Sequence, residues 1–205
     1  MNIVDKRVLK KINQYGKISQ RQLSDVCGFS LGKVNQSIQF LQKEEYIDEE
    51  WNLTEKSTKL IDLYKPKKAI ILAAGLGMRM VPINTEVPKA LLTVKGETLI
   101  ERLIHQLHEV NVYDITVVVG FMKEEFEFLI DEYNVKLVCN MDYAKKNNLH
   151  SLAKVGSDLI NTYIIPCDIW CETNPFNACE LYSWYMVKNQ ETDNTSVRLN
   201  KKYEL

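Results

Sequence analysis

Arg79 and Lys89 lie behind a turn almost bare of side chains, in the stretch LAAGLGMRMVPINTEVPKALLTVKGETLIE (Leu72–Glu101). The turn follows an apolar run, Ala69-Ile70-Ile71-Leu72, that reads as a buried strand. Glycine at Gly75 and Gly77 lets backbone N–H groups approach phosphate oxygens with no Cβ in the way. Arg79 and Lys89 then neutralise phosphate charge. Pro82 and Pro88 restrict the loop, so less entropy is lost when a ligand orders it. A G-x-G pair alone also fits an ordinary turn; the spaced cations are what point to phosphate. No G-K-[ST] follows, so this is not a Walker loop, and without a third glycine it is not a dinucleotide fingerprint.

Asp168 ends another apolar run, YIIPCDIW (Tyr163–Trp170). At the carboxyl end of a strand it either caps the next turn or faces a ligand, since ligands gather at that edge of a sheet. Asn147 and Asn148 either cap the helix that starts near Leu149 or contact a ligand. His105 and His108, spaced i and i+3, read as one face of a surface helix. His150 has no assigned role. Trp170 and Tyr143 read as core, with an aromatic cage for a quaternary ammonium as the sharper alternative. The cysteines, Cys27, Cys139, Cys167, Cys171 and Cys179, are odd in number and lack a C-x-x-C pair. They read as free thiols of a cytoplasmic protein. A zinc site from Cys167, Cys171 and Cys179 lacks a nearby histidine.

The elements that must hold these residues fall into two groups. Residues 1–64 are helical in pattern. Val8, Leu9, Ile12 and Tyr15 recur at helical spacing, and Gly16 supplies a stop. Ser19 is expected to cap Gln20–Cys27, Gly28 to make a turn, and Ser30 to cap Leu31–Glu44 with Val34, Ile38 and Leu41 inward. A short helix, a glycine turn and a longer helix match a helix-turn-helix. A small hairpin around Glu50-Trp51-Asn52 and a helix from Thr54 complete it. Tyr64–Lys68 (YKPKK) is the joint, because Pro66 disfavours helix at Lys65.

Beyond it, apolar runs alternate with helical segments. Strands are expected at Ala69–Ala73, Asp114–Val119, Lys136–Cys139, Thr162–Cys167 and Ser196–Leu199. Helices are expected at Leu99–Val110, Lys123–Tyr133, about Leu149–Asp158 and Pro175–Asn189. That alternation implies a mostly parallel sheet covered by helices. Net charge is −1, so no overall field draws nucleic acid or anionic membrane. No apolar run approaches the roughly 18 residues that span a bilayer.

The pattern Gly75, Gly77, Arg79, Pro82, Pro88-Lys89-Ala90-Leu91, and Gly96 followed by Leu99-Ile100-Glu101 closely resembles the nucleotidyltransferases that make nucleotide-activated sugars and headgroups. The resemblance covers residues 67–205. It implies an α/β fold: a Rossmann-like domain with a mostly parallel, mixed sheet, placed behind the front helices. Those helices resemble a winged helix-turn-helix of the MarR-like kind. Within the larger family the chain looks like the bacterial CTP:phosphocholine cytidylyltransferases. Val117–Asn140 resembles their second strand–helix–strand unit. Asn147-Asn148 and Ser151-Leu152 stand where sugar nucleotidyltransferases usually carry a Gly-rich segment.

The resemblance implies transfer of a cytidylyl group from CTP to a phosphorylated acceptor such as phosphocholine, with release of pyrophosphate. Leu72, Ala73, Ala74, Gly75, Gly77, Met78 and Arg79 would hold base and triphosphate, with Asn147, Asn148 and Ser151 contributing. Arg79 would bind the leaving phosphates, Lys89 would act at the α-phosphate, and Asp168 would hold Mg²⁺. Many of the phosphocholine enzymes carry a second acidic residue two positions before that aspartate, where this chain has Pro166.

Complete enzymes of the family usually run longer, so the nucleotidyltransferase domain is expected to be incomplete at its C-terminus. Other readings are a sugar-1-phosphate nucleotidyltransferase using UTP, dTTP or GTP, and a regulator whose back domain only senses nucleotide. DNA contact through residues 1–64 is expected to be weak. Residues 1–66 carry 11 Lys+Arg against 9 Asp+Glu, a net of +2, and the hairpin tip is acidic at Asp48, Glu49 and Glu50. One copy supplies too few phosphate contacts, since affinity grows with their number, so residues 1–64 either act on DNA as part of a homo-oligomer or serve as a protein-interaction module.

Overall fold

The computed structural model describes residues 1–75 and 86–187. Gly77, Met78, Arg79 and Pro82, and the strand expected at Ser196–Leu199, lie outside the described residues.

The chain opens with α1 (Ile3–Tyr15), α2 (Gln20–Cys27), α3 (Leu31–Lys43) and α4 (Glu55–Tyr64). Asn2 caps α1 in a reciprocal box with Asp5, which satisfies amides that the first turn leaves free. Gly16 at the end of α1 has φ 67° and Gly28 after α2 has φ 68°, the left-handed region where a side chain is disfavoured. Ser19 caps α2 in a second box. Ser30 precedes α3 but makes no side-chain cap bond, contrary to expectation. Val8, Leu9, Ile12, Leu23, Val34, Ile38 and Leu41 form one apolar cluster, with Leu53, Leu60 and Ile61 against it. Ile47 and Leu53 bridge antiparallel at the base of the hairpin. At its tip the Asp48 carboxylate accepts from the Glu50 and Asn52 amides, both at 2.8 Å. These bonds, the Asn52 side chain's foremost, hold its carboxyl below the usual range. Asp48 thus folds the wing as well as charging it.

The second part is a four-stranded sheet, β1 (Lys68–Ala73), β4 (Asp114–Val119), β5 (Lys136–Cys139) and β6 (Thr162–Pro166). The order is β5-β4-β1-β6 and each pair is parallel. Between β1 and β4 lie a 3₁₀ turn at Lys89–Leu91, the two-residue strands β2 (Thr93–Val94) and β3 (Glu97–Thr98), and α5 (Leu99–Glu109). The turn joining β2 to β3 holds Lys95 at φ 54° and Gly96 at φ 89°. Both central residues are left-handed, the geometry of a tight hairpin. Ile71, Ile100, Ile104, Leu107, Val117, Phe126 and Leu129 form the core beneath the sheet. No helix among the described residues is long and apolar enough to cross a membrane.

Three helices depart from expectation. Lys123–Tyr133 divides into a 3₁₀ turn, Lys123–Phe126, and α6 (Phe128–Tyr133), after Met122 takes a positive φ of 48°. α7 runs only from Asn148 to Ala153, stopped ahead of Gly156, whose φ of 111° no helix accommodates. The helix expected from Pro175 is absent over residues 175–187. Its amides go elsewhere: Phe176 N–H donates to the Asn174 side chain at 2.9 Å and Asn177 N–H to the Tyr163 hydroxyl at 3.0 Å.

Candidate active site

β1 has β4 on one side and β6 on the other. The chain therefore reverses its direction of winding at β1, and the carboxyl ends of the strands there are where open sheets of this kind hold their ligands. Ala73 and Ala74 are buried at that end, and Gly75 is exposed as the chain leaves. Cys167 N–H donates to Leu72 O at 3.2 Å, which carries β6 alongside β1 for one residue beyond its last ladder pair, Leu72 with Pro166. Pro166 lies on a strand at the sheet's edge among the described residues, where a missing N–H is tolerated. Asp168 follows directly.

Lys89 reaches this edge from the 3₁₀ turn behind Pro88. Its Nζ lies 2.5 Å from Asp168 Oδ2, across 79 residues of sequence. The side chains are 25% and 42% exposed, so the pair is open to solvent at that edge. Asp168 brings one carboxylate. Magnesium commonly uses one or two carboxylates with substrate phosphates and water, so a lone exposed aspartate at the strand end fits a phosphate-borne cation. No group of three His, Cys, Asp or Glu side chains among the described residues is placed to hold a metal by itself. Burial pushes the Cys167 thiol up to about 12 and that of Cys179 up to about 11, so neither supplies a thiolate near neutral pH.

On the β4 side the close packing beside Ala74 depends on Gly120, which the sequence reading passed over. A Cβ there would lie 2.8 Å from Ala74 O and from the Cβ and Cγ of Tyr143. The signal was a glycine directly after the apolar run of β4. Tyr143 packs with Ile70, Ala74 and Val118, its core reading. Trp170 instead faces Lys95 Nζ at 4.9 Å and the Arg102 guanidinium at 5.9 Å, so its ring already carries cations of its own chain. Gly120→Ala is expected to lower stability in urea unfolding by about 1–3 kcal/mol, the cost of overpacking. An unchanged midpoint would show that the Tyr143 loop shifts freely.

The asparagine segment divides by role. Asn147 caps α7, its side chain accepting from His150 N–H at 3.4 Å. Asn148 is exposed on the first turn of α7. Ser151 is 3% exposed, and its hydroxyl accepts from Asn140 Nδ2 at 2.9 Å. Asn140, fully buried, also takes the Asp142 amide at 3.0 Å. Ser151 thus ties α7 to the end of β5. His150 Nε2 and Lys154 Nζ lie 3.1 and 3.3 Å from Asp142 Oδ2, and their hydrogen bonds hold that carboxyl below its usual range. His105 Nδ1 pairs with Glu97 at 2.5 Å, while His108 stacks at 4.9 Å on Tyr113.

A parallel sheet wound both ways from β1 defines an open α/β domain of the kind that holds ligands at its switch point, where Lys89 and Asp168 meet. The model of the MobA-like NTP transferase domain matches residues 69–174, and the chain belongs to that family. A winged helix-turn-helix DNA-binding model matches residues 1–48. The chain is 41% identical over 128 residues to a choline-phosphate cytidylyltransferase of Streptococcus pneumoniae, covering 62% of this chain and 56% of that one. It is 47% identical over 85 residues to a 2-aminoethylphosphonate cytidylyltransferase of Lancefieldella rimae, covering 41% and 35%.

The solved CTP:phosphocholine cytidylyltransferase of S. pneumoniae superposes with a TM-score of 0.54 at 44% identity, covering 55% of this chain and 50% of that chain. The chain thus spans from about a third to just over half of these relatives' length.

Proposed function

We propose that the protein transfers a cytidylyl group from CTP to a phosphorylated or phosphonylated small molecule, phosphocholine foremost, and releases pyrophosphate. The observation that carries this reading is the Lys89–Asp168 pair at the switch point of the sheet, in a chain similar to two cytidylyltransferases of different acceptors.

The chemistry is in-line displacement. A phosphate or phosphonate oxygen of the acceptor attacks the α-phosphorus of CTP. The bond from that phosphorus to the bridging oxygen breaks, and pyrophosphate leaves with its electron pair. Little covalent work falls to the protein, so positioning and charge neutralisation dominate. Ala73, Ala74 and Gly75 would border the base and triphosphate, with Leu72, Gly77 and Met78 in the same stretch. Asn148, exposed on the first turn of α7, would contact the nucleotide, and Asn147 and Ser151 would act by holding α7 in place. Arg79 would bind the leaving phosphates. Lys89 would stabilise charge developing at the α-phosphate. Asp168 would hold Mg²⁺, which supplies charge neutralisation to the triphosphate when bound.

The free thiols suit a cytoplasmic setting, where cysteines stay reduced. On α3 the side chains of Lys33, Asn35, Gln36, Gln39 and Lys43 are exposed, a face able to meet DNA. With a net of only +2 over residues 1–66, DNA binding would be weak and subordinate to transfer.

Nucleotide choice is the test. A ligand that binds only the folded state raises its melting temperature. With Mg²⁺ present, CTP is expected to raise Tm more than UTP, dTTP, GTP or ATP. Equal shifts for all five, or a preference for dTTP or UTP, would remove the cytidylyl assignment and favour a sugar-1-phosphate enzyme.

A further inference from the structure

Lys10 and Glu180 form an ion pair that nucleotide chemistry does not use. They stand 170 residues apart, Lys10 on α1 and Glu180 in the irregular segment beyond Asp168. Both are buried, at 8% and 9% exposure. Charges this far from water are costly unless paired and hydrogen-bonded. Glu180 has a second partner: its Oε1 lies 3.1 Å from the hydroxyl of Tyr163 on β6. That hydroxyl also lies 2.9 Å from Asn177 O and accepts from Asn177 N–H at 3.0 Å.

Apolar contacts run the same way. Phe176 sits in the core under the sheet and packs on Tyr163 at 4.9 Å. Three to five residues on, Cys179 and Leu181 are 5% and 1% exposed, and both belong to the winged-helix cluster with Val8, Leu9, Ile12 and Cys27. Tyr182 packs against the same cluster, its ring 5.8 Å from Lys10 Nζ. Upstream, the segment is pinned to α5. Gln106 Nε2 donates to Cys171 O at 2.8 Å, Arg102 Nη2 to Glu172 O at 2.6 Å, and Asn174 Nδ2 to Gln106 O at 2.7 Å. The chain from Asp168 to Tyr182 thus fastens to the transferase core at one end and completes the winged-helix core at the other.

We propose that Phe176–Tyr182 is an intramolecular latch that makes the winged helix and the transferase domain one cooperative unit, so that nucleotide bound beside Lys89 and Asp168 stabilises the winged helix. The ligand half of this rests on the nucleotide reading above. The latch leaves the α3 face uncovered, since Lys33, Asn35, Gln36, Gln39 and Lys43 are exposed with it in place. Coupling of this kind is reciprocal. A partner that binds and stabilises the winged helix would also stabilise the transferase domain.

Native-state hydrogen exchange of the full chain, with and without CTP and Mg²⁺, tests the latch. If the two parts open together, ligand slows exchange in both, because every such amide exchanges through the same opening. In the wild type, peptides from α1 and α3 are expected to slow by the same factor as those from β1 and β4. Glu180→Ala strands a buried Lys10. It should speed exchange of α1 and α3 roughly a hundredfold or more and abolish their response to CTP. Lys10→Met combined with Glu180→Leu removes both charges and should restore protection and response.

Slowing of β1 and β4 alone in the wild type would overturn the proposal. If neither set slows, the nucleotide reading fails, and the ligand-free arm decides the latch. Faster α1 and α3 exchange in Glu180→Ala supports it, and a wild-type rate overturns it. Loss of protection throughout Glu180→Ala also supports one cooperative unit when the double variant regains it, and overturns the latch when it does not.

Discussion

Lys89→Ala is expected to lower kcat for cytidylyl transfer by about 10²–10³, the usual cost of losing a preorganised charge aimed at the transition state. The structure sharpens that expectation in two ways. Lys89 does not dangle: Pro88 and the 3₁₀ turn deliver it, and Asp168 holds its amine at 2.5 Å. The side chain is 25% exposed, so its charge acts at a partly shielded edge, where charge interactions are stronger than in open water. The affinity for CTP should move less than kcat, since on the proposed reading the glycine-rich stretch after β1 would share the ground-state triphosphate. The fold should hardly notice, because partly exposed ion pairs contribute about 0–1 kcal/mol. Steady-state kinetics and a melting curve on the same preparation separate these effects. A variant with normal kcat would make Lys89 a surface cation paired with Asp168.

Asp168→Asn keeps the size of the side chain and removes its charge. It should abolish Mg²⁺-dependent turnover while leaving the fold in place. With 42% of the side chain exposed, the lost pairing with Lys89 is worth at most about 1 kcal/mol after solvent screening. A Mg²⁺ titration of turnover and a urea melt together decide the matter. If the variant unfolds, Asp168 is a structural cap of the β6 turn and the metal assignment falls. Lys89 and Asp168 touch, so their effects should not add. A double variant little worse than the poorer single one would show them acting as a unit.

Much of the scaffold was legible because the physics there is local. β4 and β5 read to the residue, since short apolar runs in DITVVV and KLVC stop at polar or turn-forming neighbours. Ser19, Gly16 and Gly28 announced the helix ends they make. Residues 175–187 misled for a physical reason. Phe176, Cys179 and Tyr182 recur every third residue, which mimics a helical face. Phe176 serves one core, however, while Cys179 and Tyr182 serve another, so the segment stays extended enough to reach both. No pattern within one segment reveals that division.

The site was legible in part. Lys89 and Asp168 stood out as a cation behind the glycine turn and a carboxylate at a strand end, their particular roles came from a motif resemblance, and their contact across the sheet edge is a product of topology. Gly120 carried a weak signal, a glycine after a strand. The Asn140–Ser151 bond carried none, because an asparagine after a strand reads as a turn residue and its burial is decided by the packing of α7.

The most direct measurement is pyrophosphate release by the full chain with Mg²⁺, pairing CTP with phosphocholine and setting that pair against UTP, dTTP, GTP and ATP with sugar 1-phosphates. Release with CTP and phosphocholine is expected above every sugar-phosphate pair, and is expected to be lost in Asp168→Asn. Release confined to UTP or dTTP with sugar phosphates, or no acceptor-dependent release with any pair, would contradict it.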